Sequence, residues 1–100
     1  MPLLTTEQVD GVIRNLVQSF FERAGLAGMS YRDAAPLVGV TYQTLNNWAQ
    51  GTTPGDLHTL LALMWAKARL DELSDEEIAT MQNNRAARRE WVRKTVEAGR

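Results

Sequence analysis

The chain has 100 residues, no cysteine, and 11 Lys/Arg against 12 Asp/Glu. That length holds one small domain, and the missing cysteines exclude disulfides and thiolate metal sites. An apolar content of 44% excludes a chain too polar to build a core.

The net charge of −1 argues against a simple polyanion binder, but the charge is unevenly placed. Residues 85–100 hold six Lys/Arg against Glu90 and Glu97, and the rest of the chain is acidic on balance. The N-terminal segment, Met1 to Thr6, lacks the basic start and apolar run of a targeting signal. The most apolar stretch, Leu57 to Leu70, is too short to span a bilayer and is interrupted by His58, Lys67 and Arg69. The chain therefore reads as soluble and cytoplasmic, with no membrane partner.

In chain order, the first predicted helix covers about Thr6 to Ala24. Thr5 is its cap, and Gln8 stands in capping-box position. Val9, Val12, Ile13, Leu16, Val17, Phe20 and Phe21 recur at spacings of three and four and form its expected core face. Gly25 and Gly28 are expected to end it. Ser30 caps a second helix to about Val38, and Thr41 caps a third from Tyr42 to about Gln50. Gly51 to Gly55 reads as a turn. Asp56 caps a fourth helix, Leu57 to about Leu73, with Leu57, Leu60, Leu61, Met64, Trp65 and Ala68 as its expected buried face. Ser74 and Glu77 form another capping box, opening a fifth helix toward Val96 unless Asn83-Asn84 interrupts it.

No segment alternates with period two, so no strand is expected. The fold class is all-α: a five-helix cluster whose last helix protrudes or mediates oligomerisation. Residues 1–74 read as the main domain and 75–100 as a C-terminal helix with a basic end.

The informative segment runs from Ser30 to Gly51. A helix-turn-helix needs a small residue where its helices cross, a residue tolerant of positive φ at the turn, and apolar anchors on the second helix. Ala35, Gly39, and then Val40, Leu45 and Trp48 satisfy these demands together. With those residues in place, positions 30–61 resemble the phage repressor/Cro-type (XRE-like) helix-turn-helix family. The resemblance takes in Ala35, Gly39, Val40, Thr41, Leu45, Trp48, Gly51 and Pro54, and the following Leu57, Leu60 and Leu61. Trp48 to Trp65 is also similar to phage CII-type activators. Two departures stand out: Tyr31 occupies a place where the family often has Gln, and Pro36 lies inside the second helix, where it is expected to kink the chain.

The resemblance implies that the helix from Thr41 to Gln50 enters the major groove of double-stranded DNA. With Leu45 and Trp48 facing inward, the helical period turns Tyr42, Gln43, Asn46, Asn47 and Gln50 outward as base readers. Arg32, Thr41 and Thr44 are the candidate phosphate contacts. Arg85, Arg88 and Arg89, with Arg93 and Lys94, add backbone contacts if their helix packs beside the motif; otherwise they are a solvated charge run. The bland alternative for the amide face is ordinary solvated surface.

The expected function is a sequence-specific transcriptional regulator, acting as a homodimer or higher oligomer. The first or the last helix would supply the dimer surface, and Trp91 fits either core packing or such an interface. The alternatives are a protein-interaction module on the same fold, or a DNA-packaging recognition subunit. Enzyme signatures are missing: there is one histidine, no cysteine and no phosphate-cradling glycine loop. The carboxylates at Asp71-Glu72 and Asp75 to Glu77 suit a helix junction. No catalytic residue, metal ligand or cofactor is expected.

Overall fold

The structure, a computed structural model, describes residues 4–99. Met1 to Leu3 and Arg100 lie outside the described residues, and so does the reading of them as part of a signal-free N-terminus and a basic C-terminus. The described residues form six helices and no strand. These are α1 (Thr6–Leu26), α2 (Tyr31–Val38), α3 (Tyr42–Ala49), α4 (Leu57–Asp71), α5 (Asp75–Gln82) and α6 (Arg85–Ala98). The expected fifth helix is therefore two, because Asn83 and Asn84 form a break: Asn83 closes α5 and the Asn84 side chain caps α6 by accepting from the Ala87 N–H.

The helix starts follow the local chemistry. Thr5, Ser30 and Ser74 each form a complete capping box, with Gln8, Asp33 and Glu77 respectively. Thr41 and Asp56 accept from the backbone N–H groups of Thr44 and Thr59. Gly25 does not end α1, which continues to Leu26; the turn comes at Ala27 and Gly28. Pro36 removes one hydrogen bond from α2 but does not break it, and the helix runs on to Val38.

One core gathers all six helices. Phe20, Leu45, Leu63 and Leu70 are its largest fully buried side chains, and Ile78, Met81 and Val92 join the same cluster. Residues 75–99 thus share a core with the preceding helices. The last helix does not protrude: α6 packs on α2 and α5. α1 packs most extensively on α4, and Arg23 ties their C-terminal ends. Its Nη2 donates to the Leu70 carbonyl at 3.0 Å and its Nε lies 3.3 Å from Asp71.

Two expected core faces need correction. On α1 the first buried residue is Val17, while Val9 and Val12 are exposed because the N-terminal part of the helix runs past the core. On α4 the buried residues are Leu63, Ala66 and Leu70, whereas Leu57, Leu61, Met64 and Ala68 are exposed. The helix is apolar on all sides, so periodicity does not select a face. Leu60 and Trp65 are half-buried.

Two glycines of opposite effect test the backbone assignment. Gly11 lies inside α1 and Gly39 has φ of 79°; a Cβ at either would meet nothing within 4 Å. Gly11→Ala should raise stability by about 0.5–1 kcal/mol. Gly39→Ala should lower it by about 1 kcal/mol from backbone strain alone. Denaturant midpoints of the two variants check both signs.

The caps also set a pH dependence. The Thr59 backbone N–H, then the Thr59 hydroxyl, holds the Asp56 carboxyl below the usual range, and the Ser74 backbone and hydroxyl do the same for Glu77. A depressed carboxyl contributes stability above its unfolded pKa and loses it as pH falls through the folded value. Stability should therefore decline below about pH 4. Asp56→Asn, which keeps a cap but cannot titrate, should show a shallower decline in acid melts.

Candidate nucleic-acid interface

α2 and α3 are joined by Gly39-Val40-Thr41. Gly39 takes the left-handed conformation that reverses the chain, and its N–H donates to the Ala35 carbonyl at 3.0 Å. The Val40 N–H shares that carbonyl at 3.3 Å. Thr41 then restarts the chain as a cap: its Oγ1 accepts from the Thr44 N–H at 3.1 Å and lies 3.0 Å from the Thr44 hydroxyl. Ala34, Ala35, Leu37 and Val38 bury the inner side of α2.

Leu45 is fully buried and Trp48 nearly so, and together they fix the rotation of α3 about its axis. Tyr42, Gln43, Asn47 and Gln50 are consequently exposed, and Asn46 and Thr44 are half-buried at the edge of that face. α3 carries no charged residue. The Gln43 amide donates to the Asn47 side-chain carbonyl at 3.3 Å, so the two amides form one polar ridge. Thr41 is exposed at the N-terminal end of the ridge. Arg32 on α2 places its guanidinium 4.7 Å from the Tyr42 ring centroid, which links the two helices on their outer side.

The basic helix reaches this region from the other end of the chain. Because α6 packs on α2, Arg85, Arg88 and Arg89 line a pocket with Arg32, Ser30 and Asp33 at the start of α2. These arginines are not equivalent. Arg88 is a structural tie: its Nη1 donates to the carbonyls of Met81 at 2.7 Å and Gln82 at 3.3 Å, and its Nε faces Asp33 at 3.9 Å. Its side chain is only 15% exposed, so the guanidinium expected as a DNA-backbone contact is engaged within the fold. Gly28 leaves room for it; a Cβ there would come within 3.2 Å of Arg88 Nη1.

Arg93 and Lys94 are also occupied. Arg93 donates to Glu90 and Glu97, which raises its pKa further, and the same contacts hold Glu90 below the usual range. Lys94 lies 3.7 Å from Glu90. Among the described residues, Arg14, Arg32, Arg85 and Arg89 have no ion-pair partner, and the last three border one pocket. Sequence reasoning had no signal for this convergence, since only tertiary packing brings Arg32 to Arg85 and Arg89. It also missed Asp33 as the carboxylate that faces Arg88.

Trp91 is half-buried against the core. No group of three or more His, Cys, Asp or Glu able to hold a metal ion occurs among the described residues. No described helix is long and apolar enough to cross a membrane. Comparison of the chain with protein-family models, with curated proteins and with solved structures finds no match.

The division among the arginines is testable by thermal unfolding. Arg88→Ala removes the side-chain donor to the Met81 and Gln82 carbonyls and the group facing Asp33, and should cost about 1–3 kcal/mol. Arg89→Ala, on the exposed side of the same helix, should stay within about 0.5 kcal/mol of the parent.

Proposed function

We propose that α2 and α3 form a helix-turn-helix and that the protein is a sequence-specific DNA-binding regulator of phage repressor/Cro type. The observation that carries this reading is the pairing of two surfaces: an exposed, uncharged amide ridge on α3, and at the start of α2 a pocket bordered by three arginines with no ion-pair partner, of which Arg32 lies over Tyr42 of α3. The two supply different things. Asn and Gln amides pair with adenine N6 and N7 in the major groove, so Gln43, Asn47, Gln50 and the half-buried Asn46 read bases. Tyr42 offers its ring to a thymine methyl. Arg32, Arg85 and Arg89 hold phosphates and set register without reading sequence. Thr41 and Thr44 add hydroxyl and backbone donors at the start of α3.

A chain of net charge −1 has little long-range attraction for DNA. The salt dependence should therefore be shallow, and specificity should exceed what charge alone provides. On this reading the protein acts by occupying its operator, with no catalytic step and no cofactor.

Selection from a random duplex pool at about physiological salt should enrich one motif, and anisotropy with that duplex then separates the two surfaces. Gln43→Ala and Asn47→Ala should each weaken the selected site by about 1–3 kcal/mol and leave nonspecific binding unchanged. Arg89→Ala should weaken all sequences alike and lower the salt slope by about one. Folded protein that enriches nothing, or amide variants that bind as tightly as the parent, would overturn the proposal.

A further inference from the structure

α4 is an amphipathic helix in neither direction. Leu63, Ala66 and Leu70 bury one side, yet Leu57, Leu61 and Met64 on the other side are 69%, 53% and 50% exposed. A helix apolar all round is normally covered all round. The exposed residues continue to Ala68, and their spacing of four, three and four is the seam spacing of two helices packed knobs into holes. Between Leu57 and Ala68 the one charged residue is Lys67, which is already paired with Asp71. The seam therefore carries no unpaired charge to desolvate, as the core of an interface requires.

The other exposed apolar side chains do not make such a stripe. Leu26 stands alone at the end of α1, Tyr31 packs on Phe21, and Tyr42 lies under Arg32. α1, which packs on α4, does expose Val9 and Val12 from its N-terminal half. With Leu57, Leu61 and Met64 these expose roughly 500 Å², close to the apolar share of the roughly 800 Å² that a standard dimer covers on each partner.

We propose that the Leu57–Leu61–Met64–Ala68 seam of α4 packs against the same seam of a second copy of this chain, with the N-terminal half of α1 as its flank. A seam of this spacing is complementary to itself, and a two-fold pair uses the same patch on both subunits. The seam shares no residue with the amide ridge or the arginines. The inference does not rest on DNA binding and is tested without DNA.

Solution mass is the measurement, by sedimentation equilibrium of the full chain at about 50 μM. The parent should have twice the 11.2 kDa monomer mass. Leu61→Glu should return it to the monomer mass, with the dimer dissociation constant raised roughly tenfold or more. Leu57→Glu should do the same, and a glutamate in the first turn of a helix suits its dipole, so that variant keeps the fold if Leu61→Glu does not. Leu26→Glu, an equal insult away from the seam, should leave the dimer intact. A monomeric parent, an assembly larger than two, or a dimer indifferent to Leu57→Glu and Leu61→Glu would each overturn the inference.

Discussion

The docking of α6 on α2 is the contact from which the arginine half of the candidate site follows, and Arg88 is its polar centre. Its guanidinium satisfies the end of α5 through the Met81 and Gln82 carbonyls while facing Asp33, a residue that also closes the capping box of α2. Three helices meet at one side chain. Val92 buries the apolar side of the same contact, with Val96 packed beside it. Such a charge stays favourable away from water only while its partners remain in place, so it specifies one docking geometry. That geometry carries Arg85 and Arg89 to Arg32.

The amide ridge depends on a separate and more local device. Thr41 sets where α3 begins, Gly39 sets the reversal before it, and Leu45 with Trp48 sets its rotation. α3 carries no charged residue, so the amide groups and the unpaired arginines sit on different helices. A surface arranged in this way would bind weakly to arbitrary DNA and discriminate well at its own site, because phosphate contacts position and base contacts specify. The exposed seam of α4 shares no residue with either surface.

Much of this was legible in the residues. The starts of α1 to α5 were readable because a cap is a contact between neighbours in sequence, as with Thr5 and Gln8 or Ser74 and Glu77, whereas the start of α6 at Asn84 was read only as a possible interruption. The turn at Gly39 and the outward face of α3 were readable for the same reason, since a single pair of anchors fixes the rotation of a short helix. The buried face of α4 was not, because apolar residues on every side leave periodicity with nothing to choose between. On α1 the periodicity was correct from Val17 onward and failed at Val9 and Val12, where the helix outruns the core. The occupation of Arg88, Arg93 and Lys94, as against the unpaired state of Arg85 and Arg89, is a tertiary outcome that a run of basic residues does not encode.

The central claim, that α3 and the neighbouring arginines face DNA, is tested most directly by amide chemical-shift mapping of the full chain with a short duplex. The account predicts perturbations over residues 41–50, at the start of α2 around Arg32, and at Arg85 and Arg89, with the exposed seam of α4 unmoved. Shifts confined to α1 and α4, or no shifts at duplex concentrations well above those of specific binding, would contradict it.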